Sequence, residues 1–177
     1  MGSPVRSPSE PVSSRQSPFQ TARSLLSFRF LFLGALSWGA LMMACALVSL
    51  YLRNRLETEN LPALAALFFA GGAFAWPFVM TTLALFRRNR TETRFAAAFA
   101  FLALGTIAMT AFLFAMDYRL FYAQWHHPFP TRIWAYQFVF TSISAVYQFS
   151  VMGLRLFMPA GLPVLAAASL WLAKAMR

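Results

Sequence analysis

Acidic side chains are scarce in this chain. Five Asp and Glu stand against 15 Lys and Arg in 177 residues, and none of the five sits inside a long apolar run. A stand-alone proton or sodium pump needs carboxylates or histidines within its membrane segments, so the composition argues against that class. The two histidines, His126 and His127, are adjacent and lie outside the apolar runs. They point in different directions on any regular element, and haem held between helices needs histidines within spans. Cysteine is nearly absent as well. Cys45 is the single one, which excludes an intramolecular disulfide and a cysteine-based zinc cluster. It reads as a small buried apolar residue.

Charge of either sign is low. Charged residues make up 11% of the chain, against about 25% in soluble domains, which leaves no room for a separate soluble domain. Catalytic signatures are missing too: there is no nucleophile elbow, phosphate loop, zinc-binding helix or pair of catalytic carboxylates. The serines and threonines have no nearby histidine base. No catalytic residue, metal ligand set or cofactor is therefore assigned.

Apolar and basic residues fill the space. The chain is 59% hydrophobic, with 20 Phe and 5 Trp and a formal net charge of +10. The basic residues fall in linkers between apolar runs, so membrane topology and anionic headgroups account for them better than nucleic acid. The expected fold is an all-α integral membrane protein, a bundle of four to five transmembrane helices behind a disordered N-terminal tail. The expected partners are the lipid bilayer and another membrane protein subunit, not nucleic acid.

Residues 1–27 are rich in Ser, Pro and Arg. They cannot bury enough apolar surface to order themselves and read as a cytoplasmic tail. Spans are expected at about 28–52, 61–86, 95–116 and 133–156, with a shorter one at 159–174. As one helix, Ile133 to Met176 would run about 66 Å, roughly twice the hydrocarbon thickness, so the chain must bend. Pro159, Gly161 and Pro163 mark the place.

Ala35 and Gly39 permit close approach in the first span. Ala96, Ala100, Ala103 and Ala111, with Gly105 nearby, suggest that the third packs between neighbours. Thr106 and Thr110 are its polar groups. Gly71, Gly72 and Pro77 interrupt the second span, where a kink or hinge is expected, although Gly and Pro are also common in membrane helices. Asp117 closes the third span and suits an interfacial ion pair with Arg119 or Arg132. Tyr118, Tyr122, Trp125 and Trp134 then crowd one boundary as an aromatic belt does.

The most specific pattern lies in 133–156. Gln137, Thr141, Ser144, Gln148 and Arg155 fall within an arc of roughly 60° on a continuous α-helix. Polar groups in hydrocarbon need partners, so this stripe should face protein or water, as a binding lining or as a helix contact. The weight of Lys and Arg places the N-terminus and the connection between spans two and three in the cytoplasm. It puts Arg155 near the cytoplasmic end of span four. Lys174 and Arg177 obey the rule if the last segment does not cross.

Short helices and a positive middle loop resemble the small membrane subunits of some bacterial substrate importers, a likeness of architecture that assigns no residues. The expected role is an accessory or assembly subunit without enzymatic activity, in a bacterial inner membrane. The alternatives are a transporter subunit whose stripe lines a polar path, and an interfacial headgroup enzyme using Asp117, His126 and His127.

Overall fold

The computed structural model describes residues 27–85 and 90–175. The proposed tail, apart from Ser27, lies outside the described residues, as do Arg87, Arg88 and Arg177. Every element is helical.

Helix α1 spans Phe28–Leu52 and begins where Ser27 leaves the helical region and its Oγ accepts the Phe30 N–H at 3.4 Å. This N-cap satisfies one orphan donor of the first turn. Its other end closes by a Schellman arrangement. Asn54 takes φ 53°, Arg55 N–H donates to the Leu50 carbonyl and Asn54 N–H to that of Tyr51, both at 2.9 Å. Asn tolerates this left-handed position better than most residues.

Helix α2 spans Leu61–Leu85 and runs on through Pro77. Thr81 Oγ1 donates to the carbonyls of Pro77 and Phe78 and Thr82 Oγ1 to that of Phe78. Helix α3 spans Thr91–Tyr122, with Glu92 in its first turn and Arg119 in its last. Both charges complement the helix dipole. It overruns the expected 95–116 span at both ends, and Asp117 lies within it. The first strong helix breakers after Asp117 are Pro128 and Pro130. Meanwhile the rings of Tyr118 and Tyr122 (4.6 Å) and of Phe121 and Trp125 (5.3 Å) pair at helical spacing. A short 3-10 turn, Ala123–Trp125, follows.

Helix α4 spans Arg132–Gln148, capped by Thr131, whose Oγ1 accepts from Trp134 N–H at 3.1 Å. The chain then widens into a π-helical turn, Phe149–Gly153, and tightens into a 3-10 turn, Leu154–Phe157. Met158 is extended, as a residue before proline prefers. Helix α5, Gly161–Ala175, leaves at 74° to the preceding segment.

Three helices, α1, α2 and α3, are long and apolar enough to cross a membrane, and the bent α4–α5 pair makes a fourth if counted as one span. Two separate spans were expected from this stretch. At 15 residues α5 is about 22 Å long, short of a full crossing. The contacts fix its direction. Trp171 stacks on Phe30 at 6.2 Å, and Leu172 packs in one cluster with Leu83 and Ala98. The C-terminal end of α5 thus lies where α1 begins, α2 ends and α3 begins. Phe149 packs at the other end, against Ala46 and Phe68. If they are counted as one span, α4 and α5 together return the chain to the end where α1 begins.

The core joins α1, α2 and α3 through Trp38, Met42, Trp76, Leu83 and Leu102, with α5 adding Leu165 and Leu172. Close approach is built in. A Cβ on Gly39 would meet the Phe69 carbonyl, and one on Gly72 would meet Gly39 and Trp38. A Cβ on Gly71 would overlap Thr110. Gly71 and Gly72 therefore let α1, α2 and α3 touch backbone to backbone. On α3 the buried stripe is Ala98, Leu102, Thr106 and Thr110, whereas Ala96 and Ala100 are exposed.

Candidate functional site: a half-buried polar seam on the fourth helix

Helix α4 turns Ala145 inward, and the following turn buries Phe149. Trp134, Phe138, Thr141 and Ser142 are half-buried. At about 100° per residue this contact face centres roughly 80° from the polar stripe. The stripe consequently runs along the flank of the contact. Gln137, Thr141 and Gln148 are half-buried and Ser144 is exposed.

Each half-buried member bonds within the chain. Gln137 Oε1 accepts from the backbone N–H of His127 at 2.9 Å. Thr141 Oγ1 lies 3.3 Å from His126 Nε2 and also donates to the Gln137 carbonyl. Gln148 Nε2 donates to Tyr118 Oη at 3.3 Å. The seam thus fastens the end of α3 and the histidine-bearing connection to α4. The two histidines diverge, as adjacency requires: the His126 ring faces Thr141, while His127 offers its backbone and is exposed.

Arg155 does not share this arrangement. A single straight α-helix ends at Gln148, and the π and 3-10 turns that follow step at other angles. Its carbonyl accepts from Ser49 Oγ at 3.1 Å, and the residue lines a cleft with Arg53 and Arg55. Arg155 thus lies towards the end of α1 that carries Arg53, opposite to the end where α5 terminates.

Asp117 is exposed. Arg119 lies over the Phe138 ring, 3.7 Å from its centroid, with Nη1 3.6 Å from Met116 Sδ. Its guanidinium is held by an aromatic face, a contact worth about 0.5–2 kcal/mol. Among the described residues no group of three or more His, Cys, Asp or Glu is placed to hold a metal ion.

Thr110 Oγ1 donates to the Thr106 carbonyl of its own helix at 2.7 Å, as a threonine in an apolar helix can. Two pairings between elements were not read from the sequence: Ser49 Oγ with the Arg155 carbonyl, and Trp38 Nε1, which donates to Thr106 Oγ1 at 2.9 Å inside the core. The signal was the indole itself: a tryptophan amid an apolar run needs an acceptor. The Ser49–Arg155 bond had no such signal, because its acceptor is a backbone carbonyl. No protein-family model matches the chain, and no curated protein or solved structure matches it.

Proposed function

We propose that the chain is an integral protein of a bacterial inner membrane, with its N-terminus in the cytoplasm. In this reading it is a non-enzymatic accessory or assembly subunit that holds another membrane protein against α4. Large apolar side chains exposed in mid-helix support a lipid setting: Phe74, Phe78, Leu104 and Phe112 are each more than half exposed. The observation that carries the subunit reading is the outward face of α4. Tyr136, Phe140, Ile143 and Tyr147 recur at helical spacing and are 60–68% exposed. In a bilayer a phenol hydroxyl needs an acceptor, and a neighbouring helix can supply one to Tyr136 or Tyr147.

The alternative, a transporter subunit, requires the seam to line a polar path. The seam's side chains are bonded to the chain's own loop and to Tyr118. The cavities of ≈ 290 and ≈ 600 Å³ are walled almost wholly by apolar side chains of other helices and of the turn after α4. Both observations favour the accessory role.

The test is a photocrosslinker at Tyr147. It should give one discrete protein adduct in intact membranes, recovered at fixed stoichiometry in mild detergent. Tyr147→Leu should reduce co-purification without lowering abundance. Crosslinks to lipid alone, with a wild-type phenotype for Tyr147→Leu, would overturn the reading.

A further inference from the structure

Arg53, Arg55 and Arg155 come from two distant parts of the chain and line one open cleft of ≈ 520 Å³. Its remaining walls are Leu50, Met152 and Leu156. The arginines are placed by backbone bonds. The Schellman closure at Asn54 turns the chain so that the residues on either side of it, Arg53 and Arg55, both line the cleft. Thr58 Oγ1 donates to the Arg55 carbonyl at 2.8 Å and steadies the turn. Ser49 Oγ fixes the 3-10 turn through the Arg155 carbonyl.

Arg53 and Arg55 alone need no ligand, since cations favour a helix C-terminus. Arg155 belongs to another element, and bringing it beside them costs repulsion among three like charges. Glu57 and Glu59 are on the same loop, exposed, and not part of the cleft wall. In the proposed orientation this end of α1 faces away from the cytoplasm, where the positive-inside rule gives no reason for an arginine cluster.

We infer that the cleft binds a phosphate group, and that its source is the headgroup of an anionic phospholipid. Arginine side chains carry forked donors that match phosphate oxygens, and three of the six residues lining the cleft are arginines. The Leu50, Met152 and Leu156 wall lies beside them, where the glycerol and first acyl carbons of a lipid would rest. Free phosphate has the same anionic chemistry but makes no use of that wall.

The test follows the melting temperature of the full chain in an uncharged detergent. Phosphatidylglycerol, phosphatidylcholine and inorganic phosphate are titrated in separate arms. Phosphatidylglycerol should stabilise in a saturable manner, with phosphatidylcholine inert. Arg155→Gln should weaken its apparent affinity about tenfold, the loss expected for one charge-assisted contact. Lys174→Gln, at the opposite end, should leave it unchanged. The Arg155 bond to Ser49 uses the backbone, so the variant keeps the fold; Arg53→Gln gives a second reading of the same cleft. Equal shifts from phosphatidylcholine, or full affinity in both arginine variants, overturn the inference. Saturation by inorganic phosphate at equal affinity overturns the lipid source. None of these outcomes bears on the α4 partner, so the two proposals fail separately.

Discussion

Two tryptophans 6.2 Å apart sit in the same core with opposite hydrogen-bond states. Trp38 Nε1 has Thr106 as its acceptor, whereas Trp76 Nε1 is buried without a partner among the described residues. Replacing either with Phe removes a similar volume, so the difference between the two costs isolates the hydrogen bond. Trp38→Phe should be the more damaging, by about 1 kcal/mol, since interhelical bonds in membranes average ~0.6 and reach ~2 kcal/mol. Trp76→Phe removes an unsatisfied donor and should lose packing alone. Thr106→Val should lower the melting temperature by about 2–4 °C by orphaning the indole. The same change in a Trp38→Phe background should cost much less. Equal costs for the two tryptophans, read by thermal melts in detergent, would mean that the Trp38–Thr106 bond adds nothing to stability.

At the scale of helices, glycine decides how closely α2 meets its neighbours. Gly71 has no room for a side chain because Thr110 occupies that space. Gly71→Val should destabilise by about 1–3 kcal/mol, the usual cost of overpacking, and Thr110→Ala in the same chain should recover part of the loss. If the pair is no more stable than Gly71→Val alone, the clash lies elsewhere. Apolar runs made these helices legible in the sequence, because about 20 apolar residues in succession suit a membrane crossing and little else. The course of α4 was not legible. Its stripe assumed one angular step from Gln137 to Arg155, and nothing in FSVMGLRL announces a π turn followed by a 3-10 turn. Nor does polarity by itself say which face turns inward. Ala145 and Phe149 won the buried positions through packing against the other helices, and the glutamines were left on the flank.

Over the whole molecule, the bent α4–α5 pair, counted as one span, removes a conflict between charge and the proposed orientation. Five complete crossings put Lys174 on the side opposite the N-terminus, against the bias of basic residues towards the cytoplasm. The stacking of Trp171 on Phe30 and the clustering of Leu172 with Leu83 and Ala98 place Lys174 at the end where α1 starts. Arg90 and Arg94 begin α3 at this end. The opposite end holds Arg53, Arg55 and the histidine-bearing connection. A membrane-impermeant thiol reagent distinguishes the two arrangements. In a Cys45→Ala background, the exposed positions Glu57, Glu92 and Lys174 are each changed singly to cysteine. In intact cells Glu57→Cys should label, while Glu92→Cys and Lys174→Cys should label only after the membrane is opened. Reversal of all three would invert the orientation but leave the fold intact. Lys174→Cys labelling together with Glu57→Cys would mean that α5 reaches the other face, which the Trp171–Phe30 contact forbids.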